Sequence, residues 1–288
     1  MAVFNLGSIN ADVFYTLPHL VGPGETLAAA SRYEGLGGKG ANMSVAIARA
    51  GARAHHIGAV GQDGDWAIKR LAQYGVETGS IQTVDEKTGH AIIMVDGNGE
   101  NAIVIYSGAN LQVSEPNIDA VLASAAAGDI FLTQNETNAQ AYGVQAAKRA
   151  GLRVAYAAAP FDIDAVTKVL PFLDILILNQ VESEQLQAAT GITLDKLPVS
   201  DVIVTLGPIG CRWYANLAGT ETHFDALKVT PVDTTGAGDT FTGYVLAALD
   251  QRLEMPDAIA LATKAGAIMV TRKGTADVIP TLMDVTNF

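Results

Sequence analysis

Cysteine is almost absent from this chain of 288 residues. Cys211 stands alone, so no disulfide can form within the chain, and the expected setting is the reducing cytoplasm. Basic residues are also few: 18 Lys and Arg face 30 Asp and Glu, for a formal net charge of -12. No basic stripe is visible, which argues against a nucleic-acid partner. No apolar run is as long as a membrane span. The first residues contain no basic region, and residues 1–9 are expected to be a short buried strand. The five histidines (His19, His55, His56, His90 and His223) do not combine at metal-ligand spacing with a third group. H-E-x-x-H and G-x-S-x-G are both missing, so zinc and serine-hydrolase chemistry are disfavoured. There is no internal repeat, low-complexity tract or linker. What is present is 49% hydrophobic and 17% charged, the composition of one large domain or of one with a small appendage.

Short apolar runs alternate with helical patterns. Strands are expected at residues 3–8, 55–60, 129–133, 153–157, 175–178 and 202–205. Helices are expected at 42–50, 66–74, 139–150, 162–170 and 182–190. This alternation predicts an α/β fold: a Rossmann-like, mostly parallel sheet flanked by helices on both faces. Two segments break the rhythm. Residues 12–33 carry Pro18, Gly22, Pro23 and Gly24 between strand-like pieces. Residues 88–106 hold two apolar runs joined by Asp96-Gly97-Asn98-Gly99, a hairpin signal. Together they predict a small antiparallel β-sheet lid (12–33 and 87–107) on a body made of 1–11, 34–86 and 108–288. An exposed lid edge would invite pairing between subunits, hence a homodimer.

The densest signal is Asp233-Thr-Thr-Gly236-Ala237-Gly238-Asp239, followed by a helical pattern of Phe241, Tyr244, Val245, Ala248 and Leu249. Amides of Gly236, Ala237 and Gly238 would sit at a helix N-terminus, where the dipole favours anions. Asp239 beside them is either a base next to developing negative charge, as phosphoryl transfer to an alcohol needs, or a residue that steadies the first helical turn.

Gly35-Leu-Gly37-Gly38-Lys39-Gly40-Ala-Asn42 matches G-x-G-x-x-G literally. It does not open the first βα unit, and Lys39 is not followed by Ser or Thr. A dinucleotide turn and a Walker loop are both poor readings. A close-approach loop offering Lys39 and Asn42 to a polyhydroxyl ligand is better. Asn10, Asp12 and Glu136 follow strands, and read either as ligand groups where α/β folds gather them or as an Asx-turn and a solvated loop acid. Asn179 and Glu182 read either as a capping box or as oxygens for Mg²⁺. Thr205, Gly207 and Gly210 form a turn that a nucleotide could approach.

These pieces, in order, resemble the ribokinase-like (PfkB) family of carbohydrate kinases. The resemblance runs from Gly7-Ser-Ile-Asn10-Ala-Asp12 through Pro23-Gly24-Glu25-Thr26, Gly37 to Asn42, Gly61-Gln-Asp63-Gly64 and Ser107-Gly108-Ala109-Asn110. It continues through Asn179 to Glu182, Thr205-Leu-Gly207 and Asp233 to Asp239, and ends at Thr271-Arg272-Lys273-Gly274. It implies MgATP-dependent phosphorylation of the primary hydroxyl of a sugar. Ribose is the first expectation; fructose, 2-deoxyribose, adenosine, pseudouridine and a non-catalytic sugar-binding role are alternatives. It implies Asp239 as base, with Gly236, Ala237 and Gly238 as anion hole. Asn10, Asp12, Gly38, Lys39, Asn42 and Glu136 fall on sugar positions. Asn179, Thr205, Gly207, Gly210, Gly238 and Thr263 fall on nucleotide positions, and Glu182 lies near Mg²⁺.

The resemblance also implies K⁺ held by Asp233 and by carbonyls of Thr235, Met269, Arg272 and Gly274. The chain departs from the family at Val278, which stands where a serine oxygen is usual, and at Ala157-Ala-Ala159-Pro160, Thr263 and Tyr244.

Overall fold

A strand covered on both faces has no polar side, and residues 3–6 behave that way. The computed structural model describes residues 1–288, and in it Val3–Leu6 (β1) is wholly buried inside a nine-stranded sheet. Along the chain follow β2 (Asn10–Thr16), β3 (Ser31–Gly37), α1 (Lys39–Arg49), β4 (Ala54–Gly61), α2 (Asp65–Gln73), β5 (Ile81–Val84), β6 (Gly89–Val95) and β7 (Asn101–Tyr106). Next are α3 (Glu115–Leu122), β8 (Ile130–Thr133), α4 (Gln140–Arg149), β9 (Arg153–Ala157), α5 (Ile163–Val169), β10 (Ile175–Asn179) and α6 (Gln180–Thr190). The chain closes with β11 (Asp201–Thr205), β12 (Gly210–Ala215), β13 (Thr220–Asp225), α7 (Ala237–Asp250), α8 (Met255–Met269) and α9 (Leu282–Thr286). No helix is long and apolar enough to cross a membrane.

The large sheet runs β13-β12-β11-β10-β9-β8-β1-β4-β5. Its pairs are parallel from β11 to β5, and β12 and β13 add an antiparallel edge. Strand periodicity divides the core. Ala155, Ala157, Ile175, Ile177 and Ile203 face a cluster with α1, α2, α7 and α8. Val154, Tyr156, Leu176, Leu178, Val202 and Val204 face a second cluster with α3 to α6. Sequence periodicity does not single out the β12–β13 hairpin or α8. The hairpin's outer strand is exposed and polar, and α8 carries apolar Ala260 and Leu261 outside its buried face, which blurs its period in the sequence.

The second sheet has the order β3-β2-β6-β7. It is mixed, a correction to the all-antiparallel expectation. β2 pairs antiparallel with β3 and β6 with β7, while β2 and β6 are parallel neighbours. A parallel pair needs a long crossover, and here the α1–β4–α2–β5 stretch of the body supplies it. Pairing in this sheet begins at Asn10 and reaches Gly37, so the candidate residues Asn10, Asp12 and Gly38 lie on it or directly beside it.

Candidate active site

The site lies where the small sheet meets the C-terminal ends of the parallel strands. Gly236 caps α7 at φ 74, a left-handed conformation that glycine adopts without strain. The turn points first-turn amides outward. Gly236, Gly238 and Asp239 N–H have no protein partner, whereas Ala237 N–H reaches Thr234 O at 3.3 Å. Two of the expected trio are therefore open, and the Asp239 amide stands in place of that of Ala237. Asp239 is buried in the first turn of α7. Its Oδ2 accepts from Asn42 Nδ2 at 2.8 Å, and Oδ1 has no protein partner. Burial pushes the Asp239 carboxyl above its usual range, while the Lys39 ammonium and the Asn42 hydrogen bond oppose that shift.

Asn10, Asp12, Lys39, Asn42 and Glu136 converge from three elements. Asp12 is pushed up to about 7, chiefly by burial and then by the charges of Glu136 and Asp239. Lys39 is held above its ordinary value, first by Asp239. Its Nζ lies 4.0 Å from Glu136 Oε1. Glu136 Oε2 accepts from Ser8 Oγ and from Lys39 N–H, the latter at 3.1 Å. Gly38 sits at φ 90, packed against Ser8 and Asn10. A Cβ on Gly37 would lie 2.0 Å from Asp12 Oδ2, so that glycine makes room for the carboxylate.

A cavity of about 210 Å³ brings together Lys39, Asn179, Glu182, Thr205, Gly236, Gly238 and Asp239, among them three of the expected nucleotide positions. Asn179 and Glu182 form a full capping box: Asn179 Oδ1 accepts from Glu182 N–H at 2.9 Å, and Glu182 Oε2 accepts from Asn179 N–H at 2.8 Å. The box leaves Glu182 Oε1 unengaged beside the cavity, and a single carboxylate oxygen there fits a water-mediated Mg²⁺. Burial raises the Glu182 carboxyl above its usual range. Gly207, Gly210 and Thr263 do not line this cavity. Gly207 is open on its side-chain face, so a ligand can approach it. Gly210 has a structural requirement of its own, because a Cβ there would lie 2.0 Å from Phe224 O. The Thr263 hydroxyl donates to Ile259 O at 2.8 Å.

The K⁺ set is incomplete. Asp233 Oδ1 accepts from Thr235 N–H at 2.9 Å and Oδ2 from Gly274 N–H at 3.2 Å. Met269 O accepts from Arg272 N–H at 3.0 Å. Val278 sets two methyl groups against Gly274, at the position where the resemblance implies an oxygen. These residues do not fit a full cation cage.

Other contributors escape a residue-by-residue search. Asn110 Nδ2 donates to Asn10 Oδ1 at 2.8 Å, and Asn110 Oδ1 accepts from Ile9 N–H at 2.9 Å. Beneath the sugar side, Asn5 Nδ2 donates to Gly40 O and to Ser44 Oγ, each at 2.8 Å. Ser44 Oγ in turn meets His56 Nδ1 at 2.8 Å. Asn5 and Ser44 sit inside apolar segments, and burial is the only signal of their role, whereas Asn110 closes the Ser107-Gly108-Ala109-Asn110 piece of the resemblance.

The pfkB family carbohydrate kinase pattern matches residues 2–282. A ribokinase of Haemophilus influenzae is 36% identical over 299 residues, covering 98% of this chain and 96% of that protein. A solved ribokinase of Cryptococcus neoformans var. grubii serotype A, in complex with ADP, superposes with a TM-score of 0.86 at 32% identity and covers 99% of both chains. The Arabidopsis thaliana ribokinase complexed with ribose and ATP superposes with a TM-score of 0.86 at 28% identity, covering 100% of this chain and 98% of that one.

Proposed function

The chain belongs to the pfkB family of carbohydrate kinases, and from that premise we propose that it transfers the γ-phosphoryl group of ATP to the 5-hydroxyl of ribose. The observation that carries the reading is the state of Asp239. One oxygen is held by Asn42 and the other is unengaged, next to the unpaired amides of Gly236 and Gly238. The sugar hydroxyl would donate to Asp239 Oδ1. As its oxygen bonds to the γ-phosphorus, the bond to the β-phosphate oxygen breaks. ADP leaves, and the hydroxyl proton passes to Asp239. The α7 amides take up negative charge on the transferring group. Lys39, close to the Asp239 and Glu136 charges, adds a fixed positive charge.

Asn10, Asp12, Asn42 and Glu136 would read the sugar hydroxyls through hydrogen bonds in a buried setting, where a missing hydroxyl leaves a group unpaired. The Arabidopsis relative carries ribose and ATP in its solved complex, which supports ribose for this chain. Glu182 would hold Mg²⁺ through water, and that ion supplies neutralisation of the β- and γ-phosphate oxygens. With Val278 at the cation position, K⁺ is proposed to add little to turnover. The single buried thiol of Cys211 suits a cytoplasmic enzyme.

An ADP-release screen over ribose, 2-deoxyribose, fructose, adenosine and pseudouridine, with and without K⁺, tests the reading. Ribose is expected to give the highest kcat/KM. Preference for another acceptor would reassign the substrate. No turnover of any, with sugar binding retained, would favour a non-catalytic relative.

A further inference from the structure

β3 is an edge strand of the small sheet, paired with β2 on one side only. β2 carries Asn10 and Asp12, so the placement of β3 bears on both. The body grips β3 at two points through one short segment, residues 275–277. The Thr275 hydroxyl donates to Leu36 O at 2.8 Å in a buried contact, next to the Gly37 that accommodates Asp12. The Tyr33 hydroxyl donates to Asp277 Oδ2 at 2.9 Å. Asp277 is itself fastened from the body. Its Oδ1 accepts from the Tyr74 hydroxyl at the end of α2, with Arg70 Nε at 4.0 Å. Arg49, the last residue of α1, donates to the carbonyls of Asp277 and Ile279 and stacks on the Tyr74 ring at 4.5 Å.

The same segment reaches the anion-binding turn. Gly274 N–H donates to Asp233 Oδ2, and Asp233 Oδ1 takes the Thr235 N–H one residue before Gly236. One stretch of backbone therefore holds the lid edge on one side and the α7 turn on the other. A carboxylate suits the junction because it accepts from two hydroxyls at once, and ionised acceptors make the stronger hydrogen bonds. Tyr33 is 55% exposed, so its hydroxyl acts here by bonding and not by filling the core.

We propose that Asp277 is a positioning residue for the transfer reaction, docking lid strand β3 on the body so that Asn10 and Asp12 stay over the sugar. The proposal rests on the reading of the site as a sugar-kinase centre. Its test pairs kinetics with a measurement that needs no substrate. Tyr33→Phe removes a single hydroxyl and is expected to raise the sugar KM about fivefold, the worth of one net hydrogen bond, with kcat and the MgATP KM within about twofold of wild type. Asp277→Asn should raise it at least as much, and the double variant should be no worse than Asp277→Asn alone, because both act through one contact. Hydrogen exchange of the free protein should quicken at residues 31–37 and 234–238 in both variants, with an unchanged melting temperature for Tyr33→Phe.

An unchanged sugar KM overturns the proposal, as does a rise matched by the MgATP KM together with lowered melting. Unchanged exchange overturns it as well. Failure of the wild-type protein to turn over any sugar would sink the kinase reading instead, and exchange would still decide whether Asp277 docks the lid.

Discussion

At Gly37, one methyl group is expected to damage sugar recognition while leaving the nucleotide side alone. An added Cβ would lie 2.0 Å from the Asp12 carboxylate, which has no room to retreat in a buried site. Gly37→Ala should lower kcat/KM for the sugar on the order of a hundredfold, the cost of an ångström-scale displacement, with an unchanged KM for MgATP. Asp239→Asn tests the base directly. The substituted amide oxygen can still accept from Asn42, so the fold and sugar binding persist. Without a proton acceptor, kcat should fall by about 10² to 10⁴, measured by ADP release. Asp12 adds a pH dependence. Its carboxyl is pushed up to about 7, so it is largely protonated below that pH and has lost the charge that favours sugar hydroxyls. The sugar KM should therefore fall as pH rises through about 7, and Asp12→Asn should flatten the profile.

At the scale of elements, the N-terminus of α7 explains how one short motif serves two purposes. The left-handed Gly236 both starts the helix and frees amides for an anion, while Asp239 lies in the first turn, where the dipole favours its charge. The α6 start is similar: the Asn179–Glu182 capping box was one of two readings legible in the sequence, and the structure contains it in full. A cap and a ligand role are compatible, since the box uses one Glu182 oxygen. The β12–β13 hairpin shows the opposite limit. Gly210 looks like a ligand loop residue, yet the backbone of β13 passes too close for any side chain there. Gly210→Ala should lower the melting temperature through loss of β12–β13 pairing, by about 1–3 kcal/mol of stability as for other strained backbone positions. A variant that keeps wild-type melting while the KM for ATP rises would place the role of Gly210 in nucleotide binding instead.

At the scale of the whole molecule, two features await measurement. The edge strand β7 leaves Ile103, Val104, Ile105 and Tyr106 exposed, an apolar edge that monomers seldom tolerate. We expect a homodimer through this lid, seen by light scattering as about twice the 30.0 kDa chain mass, and disrupted by Val104→Lys. A chain that scatters as a monomer at micromolar concentration would dismiss it. The second feature is acid sensitivity from His56, which is fully buried between Ser44 and Gly7 O and held down from 6.5 to about 4. Between those values the unfolded chain binds the proton and the folded chain does not, so this contribution to stability is lost as pH falls from 6.5 toward about 4. His56→Gln should be less stable than wild type at neutral pH, with the gap in melting temperature narrowing on acidification.

The βα alternation of the body was legible in the sequence because each buried strand and amphipathic helix writes its own period locally, while α3, β12, β13, α8 and α9 were not singled out. The turn from Asp233 to Asp239 stood out in the sequence because glycines before a helix pattern free amides for an anion, although the same residues also suit a helix start. Partnership was decided only in three dimensions. Asn42 meets Asp239 across 197 positions, Ser8 meets Glu136 across 128, and Tyr33 meets Asp277 across 244. No local period encodes such pairs. The mixed pairing of the small sheet and the close backbone pass at Gly210 likewise depend on how distant segments pack. The sequence by itself determined which chemistry was available. Tertiary packing decided that Asp239 has one oxygen held by Asn42 and one left open.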